Sequence, residues 1–287
     1  MKTKSLHINH LLEINLAMLF ISTSGALGRY VQLPVPVTIA SRAGLAFLFL
    51  LLYCKWKKIS FRIAKKDMPV IVLSSLFLGI HWITYFYSLQ LSSVAIGMLS
   101  MFTYPIITAM LEPIILKTPF QRIHFVLGLL VLCGIYLLAP DFKSGNSHLI
   151  AVGLGVFSAL AYAIRNIMLK SKGSRYNGSM LMAYQTGIVG FVLAPAFFMY
   201  QVGGAIAEQW PALVALALFT TAIGHTLFIN CFKHFTITTV SIISSIQPVF
   251  GIIIGMIFLS EIPSWTTVIG GVLILSSVVI ESVRSYK

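Results

Sequence analysis

Long apolar stretches separated by short polar segments run through the whole chain. Many are about 20 residues long, which is the length that an α-helix needs to cross a hydrocarbon core of about 30 Å. The pattern predicts an all-α, polytopic integral membrane protein with ten transmembrane helices. These are predicted at Glu13–Val31, Val37–Tyr53, Pro69–Leu89, Val94–Leu116, Ile123–Ala139, Ile150–Leu169, Ser179–Tyr200, Pro211–Phe232, Ile237–Leu259 and Trp265–Val283.

Two of the apolar stretches are versions of one another. The stretches are Ser93–Leu116 and Thr236–Leu259, and each has a proline near its middle, Pro105 in the first and Pro248 in the second. The two prolines lie 143 positions apart, and the same offset aligns several glycines of the two halves. The sequence therefore indicates an internal repeat of about half the chain.

The number of helices between repeat partners decides how the halves are oriented. Five predicted helices separate a residue from its partner, and an odd number of crossings makes the halves cross the membrane in opposite directions. This predicts a 5+5 inverted repeat, with residues 1–143 as the first half and residues 144–287 as the second. Many secondary transporters have this architecture, with the substrate site near the midplane between the halves. A duplication that serves only stability is the alternative.

Composition and charge agree with a lipid environment. Of the 287 residues 58% are apolar and 9% are charged, whereas a soluble domain carries about 25% charged residues. The net charge of +13 would suit a nucleic-acid partner, but most of the 20 basic residues fall at the termini and in alternate loops. That distribution follows the positive-inside rule. It predicts a multi-pass protein of the cell (inner) membrane with both termini in the cytoplasm, and no nucleic-acid partner.

The two mid-helix prolines are predicted hinges. Each removes a backbone hydrogen bond and frees a carbonyl within the bilayer, which a neighbouring helix, water or a ligand must satisfy. Tyr104 and Gln247 precede Pro105 and Pro248 and offer polar atoms at the same depth. This favours two hinged helices that face a central cavity, and an ordinary packing kink is the alternative.

Ionisable residues within the apolar stretches are candidates for the substrate or coupling site. Arg42 lies about 9 Å from the outer end of the second helix at about 1.5 Å per residue, where a charge needs a wet cavity or a partner. Arg42 is predicted to bind a substrate carboxylate or to hold an outer gate, with snorkelling to the interface as the alternative. Glu112, in the inner half of the fourth helix, is predicted to be a proton-coupling carboxylate or the structural partner of Arg165.

His81 and Tyr85 on the third helix are candidates for the cavity wall. A histidine in a membrane span can relay protons, or it can make a fixed interhelical hydrogen bond. Tyr85 lies among Trp82 and Tyr87, which predicts a pocket for a flat or aliphatic substrate or, alternatively, a lipid-facing aromatic cluster.

Several motifs of catalytic and metal sites are absent from the sequence. There is no GxxxxGK[ST] phosphate loop, no HExxH and no GxSxG, so the usual equipment for nucleotide hydrolysis, zinc proteolysis or serine hydrolysis is missing. The three cysteines are scattered, without a CxxC pair. The prediction is a protein that is not an enzyme and that uses no cofactor and no metal.

Three stretches together resemble the drug/metabolite transporter superfamily, and specifically its ten-helix EamA-type branch. They are TIASRAGLAFLFLLL, which contains Arg42, the proline run SMFTYPIITAMLEPIIL, and SSIQPVFGIIIGMIFLSEIPSWTTVIGGVLIL. The last contains Leu259-Ser260-Glu261, which resembles the Leu-x-Glu turn of the family. The resemblance covers nearly the whole chain. It implies a 5+5 inverted repeat, alternating access, and movement of small metabolites, often by export of amino acids or related compounds.

The sequence thus favours a secondary transporter of a small organic metabolite. The substrate-binding or cavity residues are predicted to be Arg42, His81, Tyr85, Tyr104 and Gln247, the coupling residue Glu112, and the hinges Pro105 and Pro248. The expected partners are a small-molecule substrate and the lipid bilayer, and a homodimer is left open. A proton-independent facilitator or exchanger is the alternative, and a membrane-embedded enzyme or a non-transporting scaffold is the alternative from another class.

Overall fold

A computed structural model describes residues 2–117, 122–138, 147–200, 202–231, 233–234, 244 and 246–285. Apart from turns and short irregular segments, these residues are helical. We label the helices α1–α10, and α4, α7 and α8 each consist of consecutive helical pieces. The helices are α1 Lys2–Tyr30, α2 Val35–Trp56, α3 Met68–Leu91, α4 Val94–Met101 with Tyr104–Leu116, α5 Ile123–Leu138, α6 Ser147–Arg175, α7 Gly178–Leu193 with Ala196–Met199, α8 Gly203–Ala215 with Leu216–His225 and Thr226–Cys231, α9 Ile246–Leu259 and α10 Trp265–Ser285.

Most of these helices suit a bilayer. Among the described residues, six helices are long and apolar enough to cross a membrane, namely α2, α3, α4, α6, α7 and α8. Three shorter apolar stretches accompany them, namely α5, α9 and the Trp265–Ile280 part of α10, and α1 is in neither group. The prediction of an all-α protein with many membrane-spanning segments is confirmed at this level.

The first proline run is interrupted where the sequence predicts a hinge. The helix ends at Met101, a turn occupies Phe102 and Thr103, and a new helix begins at Tyr104 with Pro105 in its first turn. A proline is well tolerated there because the first turn of a helix has no backbone acceptor for its N–H. In the second run Pro248 also lies in the first described turn of α9, and most of the residues before it, 235–243 and 245, lie outside the described residues.

The helices pack in pairs, some antiparallel and some parallel. The antiparallel pairs are α3 with α6, α1 with α8, α2 with α7, and α5 with α10. The parallel pairs are α1 with α9 and α4 with α6, and further contacts join α2 with α8, α3 with α7, and α4 with α9. Both α4 and α9 are followed directly by a residue with left-handed backbone, Lys117 and Ser260, each with φ of 56°.

Two glycines bring α5 and α10 into close contact. A Cβ atom at Gly270 would lie 2.7 Å from the carbonyl oxygen of Gly134, and one at Gly134 would lie 2.8 Å from the carbonyl oxygen of Gly270. Small residues of this kind let membrane helices approach closely. On α9, Gly255 plays a similar part, since a Cβ there would lie 3.1 Å from Cβ of Val94 on α4.

We expect Gly270→Ala to lower the melting temperature of the purified protein in detergent, because the new methyl group would overlap a backbone oxygen. Overpacking at such a site costs about 1–3 kcal/mol. Gly153→Ala is the matched control, since its Cβ would meet nothing within 4 Å and alanine favours a helix interior by about 1 kcal/mol. Equal shifts in the two variants would contradict the close contact between α5 and α10.

Candidate functional site

A cluster of cationic and aromatic side chains lies where α2, α3, α6 and α8 meet. Each member is at most 5% exposed. Ionisable side chains are rare within membrane-spanning segments and mark functional sites by default. The members are Arg42, His81, Trp82, Tyr85, Tyr162, Arg165 and His225, and we call them the central cluster.

Arg42 enters the central cluster from α2. Its guanidinium carbon lies 4.3 Å from the centre of the Trp82 ring and 5.5 Å from that of Phe86, both on α3. Its Nε donates a hydrogen bond of 2.6 Å to the Thr221 hydroxyl on α8. Since Arg42 is 1% exposed, it does not snorkel to the interface, and that alternative is wrong.

Arg165 enters from α6 and is completely buried. Its Nη1 donates to the Asn166 side chain at 2.9 Å, and its Nη2 donates to the side-chain oxygen of Gln185 on α7. Gln185 in turn donates to Ser74 on α3 at 3.1 Å. The predicted Glu112–Arg165 pair is wrong, because Glu112 binds Lys170 near the end of α6 instead.

His81 joins α3 to α6. Its Nδ1 lies 2.7 Å from the Ser158 hydroxyl, which also donates to the His81 carbonyl at 2.9 Å. The interhelical hydrogen bond considered for this histidine is therefore present. The His81 ring stacks on Tyr162 with 4.5 Å between centroids and on Tyr85 with 6.0 Å. Tyr85 is 2% exposed, so it does not belong to a lipid-facing cluster.

His225 faces Trp82 across the boundary between α8 and α3, with 5.8 Å between the ring centroids. It ends a ten-residue π-helical segment, Leu216–His225, that also carries Thr221. A π-helix has i→i+5 hydrogen bonds and often lies at a functional site. The segment places both the hydroxyl that binds Arg42 and the imidazole beside Trp82.

Several polar atoms of the central cluster have no hydrogen-bond partner in the structure. They are Nη2 of Arg42, Nε1 of Trp82, the hydroxyl of Tyr85, Nε of Arg165 and Nδ1 of His225. An unsatisfied buried polar group costs about 1–3 kcal/mol, so five of them together call for an explanation. A polar ligand or water at this position would satisfy them.

Two ion-pair networks lie at opposite ends of the helix bundle. In the first, which we call the Glu261 network, Glu261 accepts hydrogen bonds of 2.8 Å from Nε of Arg29 and from the backbone N–H of Val94. Arg29 also donates to the carbonyl of Gln90 at 3.2 Å. The network ties the end of α1 to the start of α4 and to the segment between α9 and α10.

The Asp67 network occupies the other end. Asp67 accepts from Lys172 at 2.7 Å, from Arg175 at 3.3 Å and from the Tyr176 hydroxyl at 2.6 Å. These contacts join the start of α3 to the end of α6. Sequence reasoning missed this network, although the internal repeat offered one signal. Arg29 of the Glu261 network and Lys172 of the Asp67 network lie 143 positions apart, which is the offset of the repeat.

The remaining predicted site residues lie around the central cluster. Tyr104 is 5% exposed and meets Tyr162 edge to face at 5.0 Å. Gln247 is also 5% exposed, and its backbone carbonyl accepts from the Ser22 hydroxyl of α1 at 3.0 Å. Glu112, with 27% of its side chain exposed, lies apart from the cluster in its pair with Lys170. Among the described residues no group of three or more His, Cys, Asp or Glu side chains is arranged to hold a metal ion.

Comparison with known proteins identifies a family and several relatives. Residues 11–139 and 149–283 match the EamA-like transporter family. The pseudopaline exporter CntI of Pseudomonas aeruginosa is 22% identical over 226 residues, which is 79% of each chain. An uncharacterized transporter of Archaeoglobus fulgidus is 25% identical over 69% of this chain and 70% of its own, and the uncharacterized transporter YvbV of Bacillus subtilis is 25% identical over 77% and 74%. A crystal structure of a 16% identical protein superposes with a TM-score of 0.70 over 97% of this chain and 99% of its own, which supports the fold.

Proposed function

Since the chain belongs to the EamA-like transporter family, we propose that it is a secondary transporter that exports a small organic metabolite by alternating access. Its curated relatives are transporters too, at 22–25% identity. An amino acid or a related solute is the proposed substrate class, and the bilayer is its other partner. A facilitator or exchanger that works without protons is the alternative mechanism.

The central cluster is the observation that carries this proposal. Its unpartnered donors, Arg42 Nη2, Trp82 Nε1 and Arg165 Nε, lie deep inside the bundle rather than at its surface. A scaffold protein would gain stability from a dry apolar interior at this place. A transporter needs polar groups that become satisfied only when the substrate is bound.

The helix packing supports a 5+5 inverted repeat. When each helix number is shifted by five, α1–α8 becomes α6–α3, α1–α9 becomes α6–α4, and α2–α8 becomes α7–α3, all of which are packed pairs. The pairs α2–α7, α4–α9 and α5–α10 map onto themselves. The left-handed residues Lys117 and Ser260 are also repeat partners, 143 positions apart. The proposed boundary between the halves stays at residues 143 and 144.

The two ion-pair networks suit the gates of an alternating-access cycle. By the positive-inside rule, the end with Lys172 and Arg175 faces the cytoplasm and the end with Arg29 and Glu261 faces outwards. The proposed location is the cell (inner) membrane, with both termini in the cytoplasm. We propose that the networks open in turn, while α4 bends at Pro105 and α9 at Pro248.

A counterflow assay tests the transport proposal. Purified protein in vesicles preloaded with an unlabelled metabolite should take up the same labelled metabolite transiently, for at least one member of a panel of amino acids, sugars and carboxylates. Arg42→Ala should lower the initial rate by about 10-fold or more, since a lost charged hydrogen bond is worth about 1.5–3 kcal/mol. Gln247→Ala should lower the rate less, because the amide that it removes is neutral. Gly153→Ala, which meets no neighbouring atom within 4 Å, serves as the control. Normal rates in both site variants would remove these residues from the site.

Proton coupling through Glu112 is a separate prediction. An imposed pH gradient should accelerate flux, and Glu112→Gln should abolish that acceleration while retaining counterflow without a gradient. The reason is that glutamine keeps the shape of the side chain but cannot exchange a proton. If the imposed pH gradient does not change the wild-type flux, the protein is a facilitator or exchanger instead.

A further inference from the structure

We propose that the substrate of this transporter is an organic anion with two acidic groups, bound between the guanidinium groups of Arg42 and Arg165. The inference rests on the proposed transport function and names the chemistry that the central cluster recognises.

The first argument is charge balance. Arg42 and Arg165 are 1% and 0% exposed. Every hydrogen bond that their guanidinium groups donate within the described part of the chain is accepted by a neutral residue. The carboxylates of Asp67, Glu112 and Glu261 have basic partners of their own elsewhere. Two buried positive charges without a negative partner are costly in a membrane protein. An anion with two acidic groups would neutralise both.

The second argument is hydrogen-bond polarity. Of the five unpartnered atoms in the central cluster, those of Arg42, Trp82 and Arg165 can only donate, and the Tyr85 hydroxyl can also donate. A carboxylate can only accept, and it forms its strongest hydrogen bonds with guanidinium groups. A neutral sugar would bring further hydroxyl donors and no negative charge to balance the two guanidinium groups. The cluster is therefore chemically complementary to carboxylates.

The third argument concerns spacing. Arg42 contacts Trp82 on α3, and Arg165 is linked through Gln185 to Ser74 on the same helix. Trp82 and Ser74 are eight residues apart, which corresponds to about 12 Å along the helix axis. Aromatic rings, including His81 and Tyr162, lie between these levels. This arrangement favours an elongated skeleton with an acidic group towards each end.

The test measures binding to the purified full-length protein in a nonionic detergent. The probes are straight-chain dicarboxylates from malonate to pimelate, monocarboxylates of matched length, and sodium sulfate at equal ionic strength. We expect glutarate or a longer dicarboxylate to bind at least about 10-fold more tightly than its matched monocarboxylate, the factor that one lost charged contact allows. Arg42→Gln and Arg165→Gln should each remove this preference. Arg62→Gln, which changes an exposed arginine, should keep it.

Three results of the measurement in detergent would overturn the inference: equal affinity for dicarboxylates and monocarboxylates, equally tight binding of sulfate, or a preference that survives both substitutions. A fourth is loss of dicarboxylate binding in nanodiscs that contain anionic lipid but not in neutral ones, because a lipid headgroup would then occupy the site. Counterflow separates this inference from the proposed function. If a neutral metabolite shows counterflow and dicarboxylates do not bind, the protein is a transporter with another substrate. If dicarboxylates bind and no metabolite shows counterflow, the protein has an anion site but does not transport.

Discussion

Neutralising Asp67 or Glu261 should open the protein to opposite sides of the membrane. Each carboxylate is the centre of one network, and each accepts at least two hydrogen bonds. Charge-assisted hydrogen bonds contribute about 1.5–3 kcal/mol each. Losing these hydrogen bonds should shift the equilibrium between the closed and the open state of that end of the protein by about 10-fold or more. We therefore expect Glu261→Gln to favour the outward-open state and Asp67→Asn the inward-open state.

A cysteine within the central region can report this shift. Phe228 stacks on Tyr162 with 6.4 Å between centroids, so Phe228→Cys places a thiol beside the cluster. The three native cysteines are replaced by alanine in this background. A membrane-impermeant thiol reagent is then added from outside to right-side-out vesicles. Glu261→Gln should raise the labelling rate about 10-fold or more, and Asp67→Asn should lower it.

The control for the networks is Glu208→Gln, which removes an exposed carboxylate. It should change labelling less than about threefold, because exposed charges contribute little. Faster labelling from outside in both network variants would contradict alternating gates, since it would mean that either loss simply loosens the bundle.

Replacing Arg42 by methionine should stop transport and, at the same time, raise the melting temperature of the ligand-free protein. A buried charge without a counter-charge costs several kcal/mol, and methionine fills a similar volume without that cost. Thr221 would not be left unsatisfied, since its hydroxyl also donates to the Leu216 carbonyl at 2.9 Å. We expect a rise of several degrees, corresponding to about 1–4 kcal/mol, together with a loss of counterflow of about 10-fold or more, as for Arg42→Ala.

Arg62→Met provides the comparison, because this exposed arginine should affect neither quantity. A fall in melting temperature for Arg42→Met would show that the contacts of the guanidinium with Trp82 and Phe86 outweigh its desolvation. In that case Arg42 would be a structural residue.

The sequence predicted the class of the fold because a membrane imposes strong rules on composition. Apolar length and the proline run around Pro105 led to an all-α membrane protein of the EamA type, which is confirmed. Helix breaks were less predictable in detail. The break before Pro105 falls at Phe102 and Thr103, and the π-helical turn Leu216–His225 carries no distinguishing residue pattern.

The candidate site was predicted only in part, for a physical reason. Arg42 and His81 stand out because ionisable residues are rare in apolar stretches. Thr221 and Ser158, which hold them, do not stand out, because hydroxyl residues occur throughout membrane helices. The partner of Glu112 was misassigned for a related reason: Lys170 and Arg165 lie on the same helix, and sequence does not reveal which one meets α4.

The π-helical segment of α8 has a mechanical consequence. Each of its backbone hydrogen bonds spans one residue more than a hydrogen bond of an α-helix. The side chains beyond His225 therefore point in a different direction from the one they would take on a regular helix. Trp82, the repeat partner of His225, lies on α3, which is α-helical throughout. If the segment tightened to α geometry, the piece Thr226–Cys231 would rotate about its own axis like a screw. A small change in winding would then reorient Phe228 relative to Tyr162 without moving either end of the helix far.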